Sequence, residues 1–119
     1  MLVPWIQVTE KGGTNVFYDR KTVNRLNGVV SVQWVSNFVK PQSVKLGAGR
    51  IGKLSLRYDS RFDCATRAFI VDRSIWFDEA FAQGQGHILG ANTTPIWRTP
   101  DNQHYAGNLN SDVLAVLCK

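Results

Sequence analysis

Apolar and polar residues alternate with a period of two along most of the chain, a spacing typical of β-strands with one buried face. The clearest example is the segment of residues 29–38, in which Val30, Val32, Trp34 and Phe38 fall on the same side. The alternation continues in further segments before and after it. The pattern therefore predicts a mostly β protein whose sheet lies against a core.

Turn-forming residues divide the alternating segments into about six strands. Proline cannot donate to a sheet ladder, so Lys40-Pro41 is expected to end the strand at 29–38, and residues 47–49 are expected to form a mobile loop. We expect an antiparallel sheet built from hairpins. The other predicted turns are Gly12-Gly13, Asn27-Gly28, Asp59-Ser60, Asp72-Arg73 and Gly84-Gln85-Gly86.

The C-terminal tail is the part of the chain with helical spacing. Leu109, Val113 and Leu117 recur every four residues, and Asn110 or Ser111 is a suitable N-cap. A helix of this length is marginally stable alone, so it should depend on the sheet. The predicted fold class is α+β, an antiparallel sheet of about six strands with a short C-terminal helix.

Two cysteines bear on how that helix is held. Cys64 lies in a predicted strand, and Cys118 lies on the last turn of the predicted helix. A disulfide between them would pin the helix to the sheet and could contribute about 4 kcal/mol by closing a long loop in the unfolded chain. Two buried free thiols in a cytosolic protein are the alternative.

Length and charge limit the remaining possibilities. The chain has 119 residues, 44% of them hydrophobic, which fits a single domain over residues 1–119 rather than a disordered chain or a coiled coil. No apolar run approaches the roughly 20 residues of a membrane-spanning helix. The net charge of +5 favours acidic partners such as anionic glycans, nucleic acid or lipid headgroups.

Three basic residues are the candidate ligand-binding set. Lys53, Arg57 and Arg67 are expected to line one outward face of neighbouring strands, with Phe69 beside Arg67. Basic and aromatic side chains on a sheet can bind nucleic acid, but the chain carries no RNA-recognition signature. The same patch could instead contact anionic matrix components. An ordinary solvated surface is the alternative.

The sequence offers little for catalysis or metal binding. Its two histidines, His87 and His104, belong to no recognisable motif, and the cysteines have no zinc spacing. Asp78 and Glu79 are adjacent on a predicted strand and point to opposite faces, so they cannot act as an acid and base pair. We expect no enzyme activity, no metal and no cofactor, with haem ligation through either histidine left open.

The order of several short motifs resembles the surface-adhesin protein E-like domains of Gram-negative bacteria. The likeness covers nearly the whole chain. The motifs are Trp5-Ile6-Gln7-Val8, Phe17-Tyr18-Asp19, Val30-Ser31-Val32-Gln33-Trp34, Phe62-Asp63-Cys64-Ala65-Thr66-Arg67, a late Trp97 and a final Cys118.

This resemblance implies an exported protein with an antiparallel sheet and a C-terminal helix tied back by a disulfide. It also implies adhesion to host extracellular-matrix or plasma proteins, and haem binding has been associated with the family. Residues 1–5 lack the basic and apolar regions of a signal peptide, so an export signal would lie outside this chain. The expected location is the periplasm or the cell surface.

The sequence as a whole predicts a non-catalytic exported binding protein. The basic face, together with the segments from Lys40 to Lys53 and from Gly84 to Gly90, would contact a matrix or envelope protein. The alternative is a periplasmic structural or accessory subunit that assembles through apolar residues between Trp76 and Phe81. A homodimer remains open.

Overall fold

A computed structural model describes residues 5–46, 49–91, 97–98 and 105–118. The elements, in chain order, are β1 (Trp5–Lys11), β2 (Thr14–Asp19), a 3-10 turn (Arg20–Thr22), β3 (Asn24–Leu26), β4 (Val29–Leu46), β5 (Gly49–Asp63), β6 (Ala68–Glu79), β7 (Gln83–Ala91) and α1 (Tyr105–Leu117). The strands form one antiparallel sheet in the order β1-β2-β4-β5-β6-β7, and β3 also pairs with β4. The predicted fold class is confirmed, with seven strands among the described residues.

One face of the sheet, the helix face, carries the main core. Trp34 is fully buried, stacks on Tyr58 with ring centroids 4.1 Å apart, and donates its indole N–H to Ser60 Oγ at 2.9 Å. Val30 and Val32 extend this core along β4, as their alternation predicts. The central strand thus provides the floor on which the helix packs.

The helix lies on this face through an apolar stripe. Leu109, Val113, Leu114 and Leu117 are each at most 3% exposed and belong to the same cluster as Trp34. Burial of each such side chain is worth about 1.5–3 kcal/mol, so packing stabilises a helix that would be marginal in isolation.

A disulfide joins Cys64 to Cys118, as predicted. Arg25 Nη1 donates to the carbonyl of Leu117 at 2.7 Å, satisfying one of the carbonyls left unpaired at the helix end. Both contacts hold the C-terminal end of the helix against the sheet.

The opposite face of the sheet has a smaller core, formed where the turn between β6 and β7 lies over it. The ring of Phe81 sits 4.9 Å from Phe17 and 5.9 Å from Trp5. The backbone N–H of Phe81 donates to Asn37 Oδ1 at 2.8 Å, and that of Ala82 donates to a serine of β5. Both turn residues have positive φ, a costly conformation that these contacts stabilise.

The strands run further than the turn signals indicate. Pro41 lies inside β4, in the irregular stretch between Asn37 and Gln42. Regular pairing with β5 is interrupted there, so the backbone N–H that proline lacks is not needed for a hydrogen bond between the strands. The segment Gly84-Gln85-Gly86 lies inside β7. The predicted loop at residues 47–49 falls partly outside the described residues, but Gly49 already belongs to β5.

Two other predicted turns are also wrong. The pair Asp59-Ser60 lies within β5, where a register shift gives a bulge rather than a reversal, and Asp72-Arg73 lies opposite it in β6. The chain instead reverses between Asp63 and Ala68, so Cys64 sits in a turn and not in a strand. Pairing with strands on both sides of β5 outweighs the local preference for a turn.

The helix begins earlier than its capping residues suggest. It starts at Tyr105, whereas Asn110 and Ser111 were the predicted caps. Leu109 and Asn110 are both almost completely buried, so contact with the sheet keeps them inside the helix. Capping preference is a local effect that tertiary packing overrides.

Candidate functional site

The three basic residues predicted to share an outward face do not form one exposed surface. Lys53 has a side chain that is 0% exposed, and its ammonium donates to Asp78 Oδ1. It lies on the face covered by the β6–β7 turn, near Ser55, which accepts a bond from that turn. The prediction that Lys53 faces solvent is wrong, because its side chain is fully buried and paired with Asp78, a residue of β6 that is distant in sequence.

The partner of this lysine is held in its charged form. The hydrogen bond from Lys53 lowers the pKa of Asp78 below its usual value, and the nearby charge of His87 and a backbone bond from Gln85 act in the same direction. Partial desolvation opposes them. The group is therefore a structural ion pair in which Lys53 is not available to a ligand.

Arg57 is also engaged within the protein. Its Nε donates to Asp59 Oδ1 at 3.1 Å, and its guanidinium carbon lies 5.7 Å from the centre of the Phe77 ring. Asp59 also pairs with Arg73 at 3.3 Å. Arg57 is only 20% exposed, so it contributes little free positive charge to the surface.

Arg67 is the one member of the predicted set that is exposed. It lies in the turn after Asp63, with a φ of 61°. The carboxylate of Asp63 accepts hydrogen bonds from the backbone N–H groups of Ala65 and Thr66 and so stabilises the turn. Arg67 therefore remains a candidate contact residue.

The strand register places two more arginines at the end of the sheet where Arg67 lies. Arg25 pairs with Val30 and Arg98 pairs with Phe69, and both belong to one row of paired residues that crosses the sheet. We call the region formed by Arg25, Arg67, Arg98 and the Cys64–Cys118 bridge the disulfide end. Arg25 and Arg98 are 73 positions apart, so no sequence pattern indicates that they share a row.

A second candidate site is an aromatic cleft of about 440 Å³ on the helix face. Leu56 and Tyr58 form its floor and are 5% and 6% exposed. Phe38 and Trp76 also line it; both are half-buried, and their rings pack against each other with centroids 5.7 Å apart. The cleft exists because β4, β5 and β6 each contribute aromatic or aliphatic side chains to this face.

The polar residues that line the cleft, within the described part of the chain, are uncharged. Thr14 and Gln42 line it, and Gln42 Nε2 donates to the carbonyl of Lys40 at 3.1 Å. The indole N–H of Trp76 is buried and has no acceptor among the described residues. Sequence alternation indicated that Phe38 faces inward, but it gave no sign that a cavity would remain beside it.

The described residues contain no group of three or more His, Cys, Asp or Glu side chains placed to hold a metal ion. His87 lies on β7 beside Trp76, and His104 lies outside the described residues. Haem ligation by either one stays a prediction. Within the described part of the chain, no helix has the length and apolar character needed to cross a bilayer.

Comparisons with known proteins agree with this architecture. The family model described as Surface-adhesin protein E matches residues 5–119. No curated protein sequence matches the chain.

The fold is similar to crystal structures of Haemophilus influenzae protein E. The structure from a non-typeable strain has a TM-score of 0.67 and 17% identity, over 97% of this chain and 78% of that chain. A second crystal form has a TM-score of 0.63 and 18% identity, over 98% and 95%. Since the family model covers nearly all of the sequence and the fold agrees, the chain belongs to the surface-adhesin protein E family.

Proposed function

We propose that this protein is an exported, non-catalytic adhesin domain that binds extracellular-matrix or envelope proteins. The observation that carries the proposal is the family match over residues 5–119. The architecture is consistent with a binding role, because a broad sheet and a covalently tethered helix form a rigid platform. Membership in a surface-adhesin family implies an exported or cell-surface protein.

The disulfide end is the proposed contact surface. Arg67 and Arg98 are exposed there, and neither guanidinium pairs with a carboxylate among the described residues. Their charge is therefore available to an acidic protein surface or an anionic glycan of the matrix. Lys53 and Arg57 support this surface only indirectly, because their ion pairs stabilise the sheet.

The test is binding to an immobilised basement-membrane extract and to heparin at several salt concentrations. The double variant Arg67→Ala/Arg98→Ala should bind about 10-fold to 30-fold more weakly, at roughly 1 kcal/mol per charge removed near an anionic surface. Its salt dependence should also be shallower. Arg20→Ala/Lys21→Ala is the control, since it removes the same charge from the turn between β2 and β3, which β4 separates from β5 and β6, the strands next to Arg67 and Arg98.

Equal losses in the two double variants would show that net charge, rather than the disulfide end, drives binding. No binding by the unmodified protein to either surface would contradict the proposed matrix contact.

An accessory subunit of an envelope assembly is the second candidate. The predicted assembly surface from Trp76 to Phe81 is largely occupied, because Phe77 is buried and Phe81 packs on other rings. The outer strand β7 fits this role better. Among the described residues it pairs only with β6. It carries no Asp, Glu, Lys or Arg, and it leaves Ile88 65% exposed. Light scattering that shows a tight homodimer or a complex with an envelope protein would favour this function.

A further inference from the structure

The described sheet has two outer strands, β1 and β7, and β1 is protected against pairing with a further strand. An outer strand presents a row of backbone N–H and C=O groups without a partner in the sheet, and natural proteins cover, bend or charge such edges. On β1, Lys11 is charged and pairs with Asp112 of the helix at 2.6 Å. A register shift between Gln7 and Thr9 bends the strand. These features disfavour pairing of another chain with β1.

The other outer strand, β7, is neither charged nor covered by another strand within the described part of the chain. Its sequence contains no Asp, Glu, Lys, Arg or Pro, and it pairs only with β6. Residues 83–86 are exposed, and Ile88 keeps 65% of its surface accessible. The outer backbone groups of β7 therefore have no strand partner among the described residues. An extended chain is the kind of partner that can form hydrogen bonds with such a row.

The side chains beside this edge favour a segment that is uncharged and partly apolar. Ile88 pairs with Ile75, and Gly86 pairs with Phe77. A Cβ at Gly86 would lie 3.0 Å from a ring carbon of Phe77 and 3.1 Å from a methyl group of Ile75, so both side chains lie over the glycine. A further strand would place one side chain directly next to Ile88. An apolar residue there would bury surface that is now exposed, whereas a charged residue would find no opposite charge on β7.

The shape of β7 favours a flexible peptide over a second copy of the sheet. The register between β6 and β7 shifts on both sides of Gly86 and Ile88, so the strand bends at both ends of a short regular run. A rigid second sheet could pair only along that run, which buries much less than the roughly 800 Å² per partner of a typical stable interface. A flexible segment can follow the bends. We propose that β7 binds an extended, uncharged segment of a partner protein as a further strand, with an apolar side chain beside Ile88.

This surface is separate from the proposed matrix contact. It specifies how the accessory-subunit candidate, which also rests on β7, would hold its partner. The disulfide end is formed by other residues, and its proposed contact depends on charge that β7 lacks. Arg67→Ala/Arg98→Ala should therefore leave peptide binding by β7 unchanged. The two functions can fail separately.

The test is a nuclear magnetic resonance titration of the labelled protein with the capped peptide Lys-Thr-Val-Thr-Val-Thr-Lys. Its inner residues are uncharged and alternate between polar and apolar, and its terminal lysines keep it soluble. We expect the backbone amide resonances of residues 86–88 to shift saturably, and hydrogen exchange of the outward amides of β7 to slow at least about fivefold near saturation. The amide resonances of Val8 and Thr9, on the protected strand β1, should not move.

A matched pair of variants and a modified peptide connect the shift to strand pairing. Ile88→Ser should weaken binding about 5-fold to 10-fold, because it removes the apolar contact. Val39→Ser is the matched control, since Val39 is 69% exposed and lies on β4, which β5 and β6 separate from β7. Both side chains are exposed, so both variants should fold normally. The same peptide with every Thr and Val nitrogen methylated should not bind, because it cannot donate hydrogen bonds to the edge.

The proposal is overturned if the resonances of residues 86–88 show no saturable shift up to about 10 mM peptide. Equal affinity of the methylated and unmethylated peptides, or of Ile88→Ser and the unmodified protein, would also overturn it. If the amides of β7 become protected from exchange as the concentration of the free protein rises, and light scattering shows a dimer, a second copy occupies the edge and the proposal is wrong.

Discussion

Removing the disulfide tests how the C-terminal helix is stabilised. The bridge connects Cys64 and Cys118, which are 54 positions apart. In the chain-entropy model, a closed loop of this length lowers the entropy of the unfolded chain enough to contribute about 4 kcal/mol to stability. The variant Cys64→Ala/Cys118→Ala should lose about that amount. With a urea m-value of about 1.5–2 kcal/mol/M, the unfolding midpoint should fall by about 2–3 M.

The helix should nevertheless stay docked in the folded variant. Leu109, Val113, Leu114 and Leu117 belong to the main core, and their combined burial exceeds the contribution of the bridge. Urea unfolding followed by tryptophan fluorescence and by far-ultraviolet circular dichroism should therefore give one coincident transition. The fluorescence signal comes largely from the sheet, and the dichroism signal includes the helix.

Two results would refute this reasoning. A loss of stability below about 1 kcal/mol would mean that the bridge does not stabilise the protein by lowering the entropy of the unfolded chain. A separate early transition in the dichroism signal would mean that the bridge, rather than the apolar stripe, holds the helix. Reduction of the unmodified protein is the matched control and should reproduce the midpoint of the variant.

Three further perturbations test the sheet. Because the pKa of Asp78 is lowered in the folded state, its pairing with Lys53 stabilises the protein at pH values above the unfolded pKa of about 3.9. This contribution is lost as the pH falls toward the lowered pKa of the folded state. The variant Asp78→Asn should therefore show a flatter dependence of stability on pH in this range. Trp34→Phe removes the donor to Ser60 and leaves a gap, and should cost about 2–4 kcal/mol in urea unfolding, whereas a loss under 0.5 kcal/mol would contradict the buried bond. Gly86→Ala would place its Cβ 3.0 Å from a ring carbon of the neighbouring strand and should lower stability by about 1–3 kcal/mol; an unchanged thermal midpoint would show that the ring can move aside.

Much of the core could be predicted from the sequence, because side-chain alternation is a local property. The assignment of Val30, Val32 and Trp34 to one buried face required only that the segment be extended. The apolar spacing of the tail identified the helix for the same reason, with Leu109 and Leu117 on its buried side. Fold class followed from these two periodicities.

Strand lengths and the sites depended on contacts between distant segments. The pair Asp59-Ser60 has the composition of a turn, but pairing with strands on both sides keeps it in β5 as part of a bulge. The sequence predicts that Lys53 faces solvent. In the structure the β6–β7 turn lies over its face of the sheet, and its buried ammonium is paired with Asp78. Such outcomes follow from strand register, which joins residues far apart in the chain.

The sequence by itself determined which residues face the core, that the tail is helical and that two cysteines were available to tie it to the sheet. The tertiary structure alone decided that Arg25 and Arg98 share a row and that Phe38 and Trp76 line a common cleft. The physical reason is that periodicity is set by the geometry of one strand or helix. The composition of a site is set by the register between strands and by the elements that cover the sheet.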